Sequence, residues 1–447
     1  MEFVKLKDLC EFEKGSTGLA QADSGDYTLV TTGAERKSSN TYQFDTKAVC
    51  IPLVSSTGHG HASLKNVHYQ EGKFALGSIL VALTSKDDNK LDIQFLHLYL
   101  SQLKDQVLVP LMSGAANVAL SVKKIQNIEI PLPSIERQRE TVERFKSIVI
   151  EEDELKSELS HQQTLLKKLR QQILQEAIEG KLTADWRGQN PDVEPASELL
   201  KRIATEKEQL IKARKIKPQK PLPLITDEEK PFELPQGWEW CRLANVAYGF
   251  QYGTSSKSLK TGDVPVLRMG NIQSGEIDFT DLVYSSNEEE IEKYRLVSGD
   301  LLFNRTNSRD LVGKTAIYRG CQPAIHAGYL VRFRMADSIS PDFANIVMNS
   351  LLHSEWCDEV KTDALGQSNI NATKLSSFRF PLPPIDEQQS IVEKADKLLA
   401  LCDQLEALIT QNQTHAEQLM RAVLKEAFSH NSETEPPSAK PKATAHA

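Results

Sequence analysis

Long apolar runs are missing from this 447-residue sequence: no stretch reaches 18 apolar residues, so no membrane-spanning helix is expected. The opening Met1-Glu2-Phe3-Val4-Lys5-Leu6-Lys7-Asp8 lacks the apolar core of a signal peptide. Cysteine is sparse. Cys10, Cys50, Cys241, Cys321, Cys357 and Cys402 are scattered with no C-x-x-C pair. That argues against a disulfide framework or a zinc site and suits a reducing cytoplasm. Positive charge is not in surplus either: 53 Lys and Arg face 61 Asp and Glu, a net charge of -8. Phosphate neutralisation dominates nucleic-acid affinity, so this balance counts mildly against such a partner, although a basic face can sit on an acidic whole.

Catalytic motifs are missing as well. No G-x-x-x-x-G-K-[ST] occurs, and Gly58-His59-Gly60-His61-Ala62-Ser63 lacks the third glycine of a dinucleotide fingerprint. His59 and His61 have no cysteine or clustered carboxylate near them in sequence and are read as a polar loop. Asn190-Pro191-Asp192 is a turn, not the Asn-Pro-Pro-aromatic motif of amino-methyltransferases. Carboxylate-x-Lys triplets such as Glu359-Val360-Lys361 arise by chance at this charge content. No catalytic residue, metal or cofactor is expected in this chain.

What is present is a repeat. Pro131-Leu132-Pro133-Ser134-Ile135-Glu136-Arg137-Gln138 returns 250 residues on as Pro381-Leu382-Pro383-Pro384-Ile385-Asp386-Glu387-Gln388. At the same offset Ile173-Leu174-Gln175-Glu176-Ala177-Ile178 returns as Val423-Leu424-Lys425-Glu426-Ala427-Phe428. The prolines separate strand-like runs, Ile128-Glu129-Ile130 and Phe378-Arg379-Phe380, from helix entrances. Behind each entrance apolar residues step by three and four. The expected seam comprises Phe145, Ile148, Leu155, Leu159, Leu166, Leu169 and Ile173 in one helix. In the other it comprises Ala395, Leu398, Cys402, Leu405, Ile409, Ala416, Leu419 and Val423. That 3.5-residue period is a coiled-coil seam. Glu152, Gln162 and Asn412 are its polar exceptions, the last two at equivalent positions.

The stretches before the helices correspond more weakly. Gly77-Ser78-Ile79-Leu80-Val81 resembles Gly299-Asp300-Leu301-Leu302-Phe303. Gly114-Ala115-Ala116-Asn117-Val118 resembles Gly366-Gln367-Ser368-Asn369-Ile370 with a two-residue length difference. Similar frames with different content suggest two readers of different targets. Five prolines between 216 and 237 predict an extended connector after a helix from about Ala196 to Lys215. Trp238 and Trp240 are expected as buried anchors, and 431–447 as a disordered tail.

Contact with DNA is expected at polar loops. In the second half Arg305, Asn307, Arg309 and Lys314 follow an apolar run, and Arg268 and Asn271 lie in another turn. Arg pairs bidentately with guanine, Asn with adenine. Gly253-Thr254-Ser255-Ser256-Lys257 offers backbone N–H groups and Lys257 to a phosphate. The first-half counterparts are Thr57, His59, His61 and Lys65, with Lys86, in Ser85-Lys86-Asp87-Asp88-Asn89-Lys90, placed like the Arg305 loop.

Together these features resemble the specificity subunit of Type I restriction-modification systems over nearly the whole length. The carriers are the duplicated Pro-Leu-Pro-x-Ile-[Glu/Asp]-x-Gln entrance, the matched helices, Gly180-Lys181-Leu182-Thr183 with Trp186-Arg187, and Leu234-Pro235-Gln236-Gly237-Trp238-Glu239-Trp240. The first half lacks a counterpart of the last motif, which blurs the edge of its domain. The resemblance implies an α+β chain with two globular target-recognition domains separated by two long antiparallel coiled-coil helices, an internal duplication with pseudo-two-fold symmetry. The expected divisions are a first recognition domain over 1–134, a spacer helix over 135–182 and a linker over 183–237. A second recognition domain follows over 238–384, a second spacer helix over 385–430 and the tail over 431–447. The resemblance further implies double-stranded DNA as ligand, read as a bipartite asymmetric site. It implies two methyltransferase (modification) subunits, carrying S-adenosylmethionine and methylating adenine, and restriction/translocase subunits as partners. The alternative is a duplicated coiled-coil adaptor whose domains bind other proteins. A nuclease or methyltransferase with a divergent site is disfavoured by the missing motifs.

Overall fold

The computed structural model describes residues 2–18, 24–57, 61–114, 118–364 and 366–428. The tail expected over 431–447, His59 and the side chain of Val423 lie outside the described parts. The chain is a mixture of helices and sheets and divides into two compact units. One is Met1–Ser160 with the described part of Thr410–Ala447; the other is His161–Ile409.

In the first unit Glu2–Lys5 pairs antiparallel with Glu129–Leu132, just before the proline entrance to the helix Ile135–Ile178. A four-stranded sheet runs in the order Cys10–Lys14, Leu80–Ser85, Ala48–Pro52, His68–Gln70. Ala48–Pro52 is buried at all five positions, because alternate side chains enter two different cores. Val49 and Ile51 pack with Leu96 and Leu100 of the helix Ile93–Gln102, while Ala48 and Cys50 pack with Phe44, Phe74 and Leu76 under a second sheet.

The second unit builds the same frame. Glu239–Arg242 pairs with Arg379–Leu382 in the register of the first ribbon, Trp240 opposite Pro381 where Phe3 is opposite Pro131. Glu2-Phe3 is therefore the counterpart of Glu239-Trp240, which the sequence comparison missed. Lys14 opposes Val81 as Tyr252 opposes Val331, and Pro52 opposes Leu80 as Asn304 opposes Leu330. The equivalent of Gly77–Val81 is thus 327–331, again 250 residues on, and not 299–303. The glycine shared by 77 and 299 does not mark equivalent places, because Gly299 sits at a positive-φ turn before the neighbouring strand Leu301–Asn304. Likewise Leu120 donates its N–H to Leu53 O as Ile370 does to Arg305 O, so no length difference separates these stretches.

Gln138 and Gln388 fasten each helix entrance to its own domain. Each is buried, and its amide carbonyl accepts the N–H of the residue that N-caps a domain helix, Asp92 or Ser340, at 2.8 Å. Their amide N–H groups donate to Pro133 O and Pro383 O. A repeated glutamine thus satisfies groups that a proline entrance leaves open.

In the second unit the motifs that carry the resemblance converge on one carboxylate. Glu387, fully buried, accepts from Thr183 Oγ1 at 2.6 Å, from Trp238 Nε1 at 2.8 Å and from Arg187 Nη1. Gly180 permits this packing: its φ is +70°, and a Cβ there would lie 2.7 Å from Pro235 Cγ and 2.8 Å from Arg187 Nη1. Within this unit the end of the first long helix runs antiparallel to the start of the second, Ile385–Phe428. Arg170 pairs with Asp403 and Glu406, and further along the chain Asp185 pairs with Lys394.

The heptad expectation needs correction. Each 44-residue helix buries one row, Leu159, Leu166 and Ile173 in the first and Ala395, Cys402, Ile409 and Ala416 in the second. The other expected row, Leu155, Leu169, Leu398, Leu405 and Leu419, is exposed. The pattern of three and four steps describes a stripe wide enough for a bundle, and two helices alone cover only part of it.

Candidate nucleic-acid interface

The expected loops separate into those turned outward and those consumed by the fold. Asn271 is buried: its carbonyl accepts Arg268 N–H, and its amide donates to Asp278 O and Asp281 O. Arg268 pairs with Asp281 Oδ2 at 2.9 Å. These two residues brace a turn and are not free base readers, because short Asn side chains satisfy local backbone before they reach outward.

The phosphate cradle expected over Gly253–Lys257 is also occupied. Thr254 Oγ1 donates to Glu290 Oε1 at 2.6 Å, and Ser256 Oγ donates to the same oxygen. Those hydroxyls, Ser256 first, hold the Glu290 carboxyl below its ordinary range, so an anion already fills the place. Gly253 serves close packing instead: a Cβ would meet His326 O at 2.1 Å. Lys257 remains exposed. Lys86 donates to Lys7 O at 2.7 Å and lies 3.8 Å from Glu11, closing the helix Leu6–Leu9. It is no counterpart of the Arg305 loop, since 86 matches 336 in the repeated frame.

The loop after Asn304 does face outward. Buried Asn304 anchors its base: its amide donates to Leu311 O, and its backbone exchanges hydrogen bonds with Gly313 N–H and Lys314 O. Thr306–Asn307 pairs with Gln367–Asn369, which pairs in turn with Thr362–Ala364. On this small sheet Asn307 is half-buried, and Arg309 and Lys314 are exposed. Arg309 lies 3.5 Å from Asp363, an exposed pair of little energetic weight. The Arg305 guanidinium stacks over Tyr252, 4.9 Å from its ring centre. Tyr252 and Tyr329, 42 % and 52 % exposed, were not singled out in the sequence; their signal is a large aromatic beside Gly253 and Gly328 in otherwise polar turns.

The true first-unit counterpart of this loop follows Pro52. Leu53 N–H donates to Ile79 O at 2.9 Å where Arg305 N–H donates to Tyr329 O at 3.0 Å. The loop beyond carries exposed Thr57, His61 and Lys65, held by Ser55 Oγ donating to His61 O and by Lys65 N–H donating to Ser56 Oγ. The structure therefore groups Arg305, Asn307, Arg309 and Lys314 in one unit and Thr57, His61 and Lys65 at the matching place in the other.

Among the described residues no group of three or more His, Cys, Asp or Glu could hold a metal ion, and no helix is long and apolar enough to cross a membrane. Burial pushes the Cys10 and Cys50 thiols up to about 12, so neither is a nucleophile.

A family model described as Type I restriction modification DNA specificity domain matches residues 1–162 and 235–413. The EcoAI specificity subunit of Escherichia coli is 39% identical over 254 residues, 55% of this chain and 42% of that protein. The EcoEI specificity subunit of the same species is 34% identical over the same shares. These matches span less than half the length of either relative. The EcoDI specificity subunit, also of Escherichia coli, is 23% identical over 95% of this chain and 87% of its own. Among solved structures, the HsdS subunit from Thermoanaerobacter tengcongensis aligns with a TM-score of 0.54 at 17% identity, over 96% of both chains. A chain solved in work on complex assembly and conformational transition of the type I R-M system aligns at 0.57, also at 17% identity, over 96% of this chain and 97% of that one. At that identity the likeness concerns the fold.

Proposed function

The chain belongs to the Type I restriction modification DNA specificity family, and from that premise we propose that it is the non-catalytic DNA sequence-recognition subunit of a cytoplasmic Type I restriction-modification complex. Its first recognition domain, 1–134, and its second, 238–384, each read one half of a bipartite asymmetric site on double-stranded DNA. The observation that carries this reading is a repeated backbone frame whose outward loops differ in chemistry, with Thr57, His61 and Lys65 in one half and Arg305, Asn307, Arg309 and Lys314 in the other. A frame kept while its exposed side chains diverge suits two readers of two sequences.

The helices are the spacer and the docking element, arranged as an antiparallel coiled coil with pseudo-two-fold symmetry. Each 44-residue helix is roughly 66 Å long at 1.5 Å per residue, against roughly 34 Å per DNA turn. The uncovered leucine row, with Leu401 and Leu408 beside it, is the apolar surface on which two adenine methyltransferase subunits seat; restriction subunits complete the complex. An adaptor for other proteins would use the same leucines but leaves the Arg and Lys loops without a ligand.

The test is methyl transfer. The purified chain with S-adenosylmethionine and DNA should transfer nothing, and addition of the modification subunit should produce adenine methylation at one bipartite sequence. Methyl transfer by the chain alone would sink the proposal.

A further inference from the structure

The repeated frame identifies which side chains stand at equivalent places on the reading surface. Three backbone positions match by hydrogen bond and register: Lys14, Leu53 and Ile79 in the first unit, Tyr252, Arg305 and Tyr329 in the second. In the first unit all three lie where a strand meets its loop: Lys14 ends Cys10–Lys14, Leu53 follows Ala48–Pro52 and Ile79 precedes Leu80–Ser85. Their backbone partners are the same, yet their side chains share nothing. In the second unit the trio is an aromatic–cationic–aromatic group; in the first it is a lysine with two aliphatic residues. Lys14 and Ile79 are exposed, as are Tyr252 and Tyr329.

Arg305 is held for use. Its guanidinium lies on the Tyr252 ring, its Nε is buried, and it makes no side-chain hydrogen bond with any described residue. Tyr252 is fixed in turn, because its hydroxyl accepts Ala372 N–H at 3.0 Å. A planar guanidinium shelved on an aromatic face loses little freedom when its outer nitrogens meet a ligand. The major-groove group that matches two parallel N–H donors is the O6 and N7 edge of guanine. Leu53 and Ile79 can offer only apolar surface, whose major-groove counterpart is the thymine methyl.

We propose that these three positions set the base preference of each domain, and that Arg305, positioned by Tyr252, reads a guanine in the half-site of the second domain. This rests on the DNA-reading function proposed above and deepens it.

The experiment uses the full chain in complex with the methyltransferase subunit and a pool of random duplexes, with retained DNA sequenced. Wild type should retain a bipartite motif with an invariant guanine in one half. Arg305→Ala should make that one position degenerate, with a roughly five- to hundredfold loss of discrimination, and leave the other half unchanged. Arg305→Gln should move the preference from guanine to adenine, a change that poor folding cannot mimic. Tyr252→Leu should relax the same position, and Tyr252→Phe, which keeps the shelf, should retain guanine. Retention of the wild-type motif by both Arg305 variants overturns this assignment while leaving the DNA-reading function standing. Failure of wild type to select any sequence overturns that function, and this inference with it.

Discussion

Removing the Glu387 carboxylate should unfasten the second unit. Glu387→Ala removes the carboxylate that accepts from Arg187 Nη1, Thr183 Oγ1 and Trp238 Nε1, leaving Arg187 Nη1 only Thr183 Oγ1 at 3.2 Å and Thr183 Oγ1 only Gly180 O at 3.5 Å. Breaking a buried ion pair by deleting one partner costs about 3–5 kcal/mol, and each hydrogen bond to a charged group contributes about 1.5–3. The Arg187 side chain is 21% exposed, so water takes up part of its loss, which places the cost near the lower figure, about 3 kcal/mol. For a unit of this size that is a fall of roughly 6–12 °C in Tm. Urea unfolding followed by tryptophan fluorescence reads it directly, because Trp238 is one of the bonded groups. Arg187→Met should cost a similar amount, since it leaves the buried carboxylate unpaired. The double variant Glu387→Ala/Arg187→Met should cost less than the two together, with a coupling of at least about 1.5 kcal/mol. A cost for Glu387→Ala within about 0.5 kcal/mol of zero, or additive single variants, would refute the reasoning.

Gly180→Ala should destabilise the same unit by about 1–3 kcal/mol, because φ is +70° and the new methyl would press on Pro235 and Arg187; an unchanged urea midpoint would contradict this. Burial lowers the Lys207 amine to about 8, below its unfolded value, so the unfolded chain binds more protons between about pH 8 and 10.5. Stability from this group therefore rises with pH through that window. Lys207→Met should show a correspondingly flatter stability profile there, and parallel profiles would count against the assignment. Replacing Leu401, Leu405 and Leu408 together by Gln should leave the unfolding free energy of the isolated chain within about 0.5 kcal/mol of wild type but weaken association with the methyltransferase subunit at least tenfold. Intact association, measured by light scattering of the mixture, would remove the leucine row as a docking surface.

The architecture was legible where short-range physics repeats. Prolines at 133 and 383–384 and the heptad steps announce two long helices, and both are 44 residues long. The fate of the leucines was not legible, because a 3.5-residue period says which residues share a face and not how many helices cover it. Glu387 lies within the repeated Pro-Leu-Pro entrance, yet nothing in its sequence neighbourhood shows that Thr183 and Trp238, 204 and 149 positions away, meet it. The loops divided on the same ground. Arg305 and Asn271 are both polar residues in turns, but Asn271 spends its amide on Asp278 and Asp281 while Arg305 finds only an aromatic face. The pairing of 77–81 with 299–303 failed because a shared glycine and apolar pattern outweighed spacing; the constant 250-residue offset was the better guide.

The central claim, that this chain selects DNA sequence for a methyltransferase, is tested most directly by mapping N6-methyladenine across the genome of cells with and without its gene. The account predicts one bipartite motif, two short specific parts around a fixed gap, methylated only when the gene is present. The same methylated motifs in both strains, with the methyltransferase subunit present and active, would contradict it.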